Sequence, residues 1–235
     1  MKWFAMTTQE KNKSKKALLL GSLAVLACAV HALVLNTPFD NYLITSALKL
    51  TLFMLFPFIY CIYTQQRWPR TLLFDEWNKR KLGLAALLGL AVFLLVLAAH
   101  ALLRPLLDQA MIVDALADVG IRGDNYLWTL AYVVFINAAL EEVFFRGFVF
   151  LNLYRMNFRR LAHLFSALLF ALYHVAVLEG GITAPVLFLA TVGLFVAGLF
   201  FNEVARRCGS VLGSLLVHVG ANLAIGLIGL SYMGA

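Results

Sequence analysis

Seven continuous apolar runs, each close to twenty residues long, limit what this chain can fold into. They cover 17–35, 42–63, 82–103, 126–153, 161–178, 183–204 and 211–233. A hydrocarbon core about 30 Å thick is crossed by roughly 20 helical residues. The runs do not alternate apolar and polar positions, so a membrane barrel is excluded. Composition agrees, with 63% hydrophobic and 13% charged residues, against roughly 45–50% apolar in a typical soluble domain. The expected fold is all-α, a polytopic transmembrane bundle of about seven spans.

Charge sets the expected orientation. With the N-terminus in the cytoplasm, fifteen Lys and Arg fall on the inner side, and Arg104 and Arg122 fall outside. That asymmetry follows the positive-inside rule and suits an integral protein of the plasma (inner) membrane. The net charge of +7 does not point to nucleic acid, because the basic residues lie between apolar runs. The first run follows Lys11, Lys13, Lys15 and Lys16. It is too long for a signal-peptide core and reads as a retained helix. The chain divides into a basic cytoplasmic segment (1–16), three helices with an outer loop (17–125) and a core of four helices (126–235). The outer stretch 106–121 reads either as a short amphipathic helix on the surface or as an ordinary loop. Pro57 is expected to kink the second span, and Lys49, near the outer end of that span, to snorkel to the interface. Cys28, Cys61 and Cys208 have no CxxC spacing and read as apolar fillers. Two small-residue pairs, Gly193 with Ala197 and Gly209 with Gly213, are expected to allow close helix contact.

Against this background the polar residues inside spans are costly, at about 2.5–3.5 kcal/mol for a carboxylate on insertion scales. The fourth span carries Glu141, Glu142 and Arg146, with Asn137 one turn earlier. The fifth carries His174 after Phe170, and the seventh carries His218 and Asn222. Residues four apart share a helix face, so Glu142 can pair with Arg146, and His218 and Asn222 point the same way. Depth links the helices. Glu141 lies fourteen residues from Arg155, and His174 fourteen from Arg160, about 21 Å along the axis. His218 and Asn222 lie eleven and fifteen residues from Arg207, about 17 and 22 Å. Spans running in opposite directions thus bring these groups to one level.

Such a set permits water-mediated acyl transfer. A buried carboxylate suits a general base working near neutral pH. One histidine can share the water, and a second with an amide can donate to a tetrahedral oxyanion. Arg146 is expected to neutralise Glu142. His31, His100 and His163 lack acidic company and read as packing or interfacial residues. His174, His218 and one glutamate could instead imitate a zinc set, but HExxH is missing and Asn222 is a poor zinc ligand. A metal-free site is favoured, with Zn the alternative. No aspartate lies within a span, which argues against an aspartyl dyad. Ser214, four residues before His218, is the one conceivable serine nucleophile. A proton relay or transporter would favour broken helices or repeat symmetry, and neither is visible.

The ordered motifs EExxxR (Glu141, Glu142, Arg146), FxxxH (Phe170, His174) and HxxxN (His218, Asn222) resemble those of the CPBP family of intramembrane endopeptidases, also called the CAAX protease or Abi family. The resemblance covers 140–222 and includes the Arg146-Gly147-Phe148 continuation. It implies an endopeptidase acting within or at the membrane. Glu141 would activate water with help from His174, and His218 and Asn222 would stabilise the oxyanion. Glu142, Arg146, Asn137 and Phe170 would support them. The implied partners are the lipid bilayer and a membrane protein or peptide substrate. The alternative is a non-catalytic immunity or partner-binding protein that keeps the protease fold.

Overall fold

The computed structural model describes residues 7–35, 37, 41–66, 78–118, 120–178 and 183–233. Lys2, Arg67 and Arg70, counted above with the inner-side charges, lie outside the described residues. The described chain is an all-α bundle of eight helices with no strand among the described residues. They are α1 (Thr8–Leu35), α2 (Tyr42–Thr64), α3 (Lys79–Leu103), α4 (Gln109–Asp118), α5 (126–155), α6 (Arg159–Leu178), α7 (Ala184–Cys208) and α8 (Val211–Met233). Six of these, α1 to α3 and α6 to α8, are long and apolar enough to cross a membrane. The seventh expected span is α5.

The helix ends follow local chemistry. α1 starts earlier than its apolar run because Thr7 and Glu10 form a capping box: Glu10 Oε2 accepts the Thr7 N–H at 2.8 Å, and Thr7 Oγ1 accepts the Glu10 N–H at 3.3 Å. The basic residues Lys11 to Lys16 therefore lie on the helix. Asn41 and Asn78 cap α2 and α3 through their side-chain oxygens. Gly209 ends α7 in the left-handed conformation, at φ 70°. The outer stretch contains a helix, α4, whose first turn is capped by Asp108. α2 runs through the buried Pro57 without a break in its helical assignment.

α5 is wound unusually. Its turns alternate between α (Tyr126–Ala131, Ala138–Glu141, Asn152–Arg155) and the wider π form (Tyr132–Asn137, Glu142–Leu151), while every junction residue keeps right-handed helical angles. Glu141 and Glu142 sit where the second wide stretch begins. Carbonyls along these turns accept side-chain bonds. Asn222 of α8 donates to Val133 O at 3.1 Å, Ser166 of α6 to Phe145 O at 2.9 Å, and Asn152 to Phe148 O at 2.9 Å. Widened turns of this kind occur frequently at functional sites.

α5 is also the buried centre of the bundle. Phe144, Phe145, Phe148 and Phe150 are all fully buried, and Phe144 stacks on Phe53 of α2 with centroids 3.9 Å apart. Close helix contact coincides with the small-residue spacing only at Gly213. Gly193 has open space around it, whereas Gly198, on the next face, packs against Ala167 so tightly that a Cβ would lie 2.9 Å from its Cα. Gly213 abuts Cys208, and Gly209 is a cap rather than a contact. α3 and α8 cross where Gly89 meets Gly220. Gly220 lies between His218 and Asn222, so this crossing fixes the helix that carries both.

Candidate active site

Four helices bring the intramembrane polar groups together. Glu141 of α5 is 2% exposed, and its two oxygens have different surroundings. Oε1 accepts hydrogen bonds from Lys49 Nζ of α2 and, at 3.1 Å, from Asn137 Nδ2 of its own helix. Oε2 has no hydrogen-bond partner. It faces two imidazoles, with His174 Nε2 of α6 and His218 Nε2 of α8 each 3.6 Å away.

Each imidazole is fixed through its other nitrogen. His174 Nδ1 lies 2.8 Å from the Phe170 carbonyl, which can only accept, so Nδ1 carries the proton. His218 Nδ1 lies 2.9 Å from Glu142 Oε1 and donates to that carboxylate. Both rings therefore turn Nε2 toward Glu141 Oε2.

Glu142 and Arg146 form the supporting layer. Both are fully buried, with Arg146 Nη1 3.1 Å from Glu142 Oε1. The guanidinium lies over two aromatic faces, its carbon 4.2 Å from the Phe170 ring centre and 4.8 Å from that of Phe201. Phe201 in turn stacks on His218, with centroids 5.2 Å apart. The spacing of Glu142 and Arg146 implied this pair. The position of Phe170, between Arg146 and the backbone bond of His174, explains why an aromatic residue stands one turn before that histidine.

Asn222 is half-buried, and one N–H of its amide goes to Val133 O. The Ser214 hydroxyl donates to Val211 O of its own helix at 3.0 Å rather than to His218. His31 is buried beside Tyr173, His100 contacts Tyr232, and His163 packs on Phe150; none of them contacts Glu141.

Lys49 corrects the sequence reading. It does not snorkel: it is 5% exposed, donates to Glu141 and to Asn137 Oδ1, and lies over the Tyr173 ring at 4.8 Å. One signal could have found it. Two carboxylates share the fourth span with a single arginine, and Lys49 is the other cation within a span.

Glu141, His174 and His218 are the residues that would hold a metal. They fit one poorly. The Lys49 ammonium already occupies one oxygen of the carboxylate and would repel a divalent ion beside it. A separate apolar groove of about 830 Å³, lined by α1 residues such as Leu18 and Gly21 and by Leu153 and Phe165, includes none of these polar groups.

No curated protein and no solved structure matches the chain. The family model described as type II CAAX prenyl endopeptidase Rce1-like matches residues 123–224, the stretch that carries Glu141, Glu142, Arg146, Phe170, His174, His218 and Asn222. Those residues, and the helices that gather them around one carboxylate, lie in the stretch that matches an Rce1-like domain of the CPBP (CAAX protease) family.

Proposed function

We propose that the protein is an intramembrane endopeptidase that cleaves a membrane-embedded or membrane-adjacent peptide with water activated by Glu141. The observation that carries this reading is the convergence of His174 Nε2 and His218 Nε2 on Glu141 Oε2, each at 3.6 Å, while Oε1 is tied down. An oxygen without a partner, beside two imidazole nitrogens, is where a water molecule can be held and deprotonated.

In this mechanism Glu141 Oε2 takes a proton from water, and the hydroxide oxygen bonds to the peptide carbonyl carbon. His174 holds the same water. The charge that develops on the carbonyl oxygen is met by His218 and Asn222. Glu142 holds His218 through Nδ1, and Asn222 has a second N–H beyond the one given to Val133. When the C–N bond breaks, Glu141 returns its proton to the leaving amine, giving a free acid and a free amine. The Lys49 ammonium on Glu141 favours this metal-free route over a zinc-bound water.

The test is Glu141→Gln, which keeps the shape and removes the base. Peptides released from membranes carrying the wild-type protein should be missing from membranes carrying equal amounts of the variant. An unchanged peptide profile, with biological activity retained, would instead establish a binding or immunity role for the same fold.

A further inference from the structure

Lys49 lies outside the family-matched stretch of 123–224, on a different helix. Its contacts are nonetheless centred on Glu141. Nζ donates to Glu141 Oε1 and to Asn137 Oδ1, and Asn137 Nδ2 donates to the same Oε1 at 3.1 Å. The ammonium lies near two aromatic faces, with Nζ 4.8 Å from the Tyr173 ring centre and 5.6 Å from that of Phe53. Three groups thus lock together at one oxygen of the carboxylate, and the other oxygen is left to the histidines.

We propose that Lys49 is a positioning residue for the Glu141 base: by holding Oε1 together with Asn137, it presents Oε2 to the space between His174 and His218. This rests on the hydrolase reading above. A second consequence is electrostatic. A carboxylate buried without a counter-charge tends to take up a proton, and a protonated Glu141 cannot accept one from water. Lys49 is the cation that touches Glu141, since Arg146 is engaged with Glu142. Arginine can replace the charge and both bonds. Methionine replaces the stem and supplies neither.

The experiment compares wild type, Glu141→Gln, Lys49→Met and Lys49→Arg in lipid vesicles. The probe is a synthetic copy of a peptide that wild type releases and Glu141→Gln does not. Misplacing a reacting group by about 1 Å costs on the order of 100-fold. Lys49→Met is therefore expected to lower kcat about 100-fold with KM changed less than about threefold, and Lys49→Arg to stay within about tenfold of wild type. Thermal unfolding supplies a readout that needs no substrate: Lys49→Met and Glu141→Gln should each lower the unfolding temperature, and the double variant should recover most of the loss.

If Lys49→Met keeps more than about a third of wild-type kcat, or changes KM alone, the inference is overturned. If Lys49→Met does not fold, Lys49→Arg decides: a folded, inactive arginine variant overturns it. If no peptide depends on Glu141, the hydrolase reading fails and this inference falls with it. The two failures are therefore distinguishable.

Discussion

Replacing Arg146 by methionine is the sharpest test of the layer beneath the site. The guanidinium is fully buried, 3.1 Å from Glu142 Oε1, and lies against Phe170 and Phe201. Methionine keeps most of the packing and removes the charge, leaving the Glu142 carboxylate fully buried with His218 Nδ1 as its one remaining close partner. Breaking a buried pair from one side costs about 3–5 kcal/mol, and losing the two aromatic contacts adds on the order of 1 kcal/mol. For a domain of 150–250 residues each kcal/mol moves Tm by roughly 2–4 °C. Arg146→Met should therefore lower the unfolding temperature by about 8–24 °C, measured by thermal unfolding in lipid nanodiscs. The double variant Glu142→Gln/Arg146→Met leaves no uncompensated charge, and the Gln carbonyl can still accept the His218 Nδ1–H. It should be more stable than Arg146→Met alone by about 2 kcal/mol or more, the usual scale of coupling between contacting residues. A single-variant loss below about 1 kcal/mol would refute the reasoning. So would additive losses, which would mean that the 3.1 Å approach contributes no coupling.

Two further predictions concern the frame. Gly198→Leu should destabilise the bundle by about 1–3 kcal/mol through overpacking against Ala167, whereas Gly193→Leu, one turn and a face away in open space, should stay within about 0.5 kcal/mol; equal losses in thermal unfolding would contradict the assigned faces. Ser166→Ala removes the donor to Phe145 O and the contact with Asn202, at a cost of about 1–3 kcal/mol, with no change in the Glu141-dependent peptide profile. An unaltered unfolding temperature would show that this carbonyl does not need its side-chain partner.

The spans were legible because each is a continuous apolar run, and the helices that form over 42–64, 159–178 and 211–233 nearly reproduce the limits read from hydropathy. The level of the site was legible for a related reason. A helix rises evenly, so counting residues from the basic anchors placed Glu141, His174, His218 and Asn222 at similar depths, and the structure gathers the first three within a few ångströms. The role of Lys49 was not legible from its own span. A lone lysine seven residues into a helix reads as interfacial, because a long flexible stem can reach the headgroups. Its partner is more than ninety positions away. The alternation of α and π turns in α5 was hidden as well. Carbonyls of the wider turns accept from donors on neighbouring helices, Asn222 and Ser166, whose side chains carry no mark in the sequence of what they will bond.

The buried charges can be considered together. Glu141 is matched by Lys49 and Glu142 by Arg146, so the four formal charges at the centre of the bundle cancel. One match is local, four residues along α5, and forms wherever that helix forms. The other requires α2 to dock against α5, and Phe53 stacked on Phe144 is the apolar part of the same contact. Without α2, Glu141 would be left uncompensated in a low-dielectric interior, a state that costs several kcal/mol. The stretch that matches the family model is thus electrostatically incomplete by itself: residues 123–224 hold two carboxylates and the guanidinium, and the cation that completes the set comes from residue 49. Helix α2 is therefore part of the site, because its Lys49 supplies the cation at the carboxylate proposed as the base.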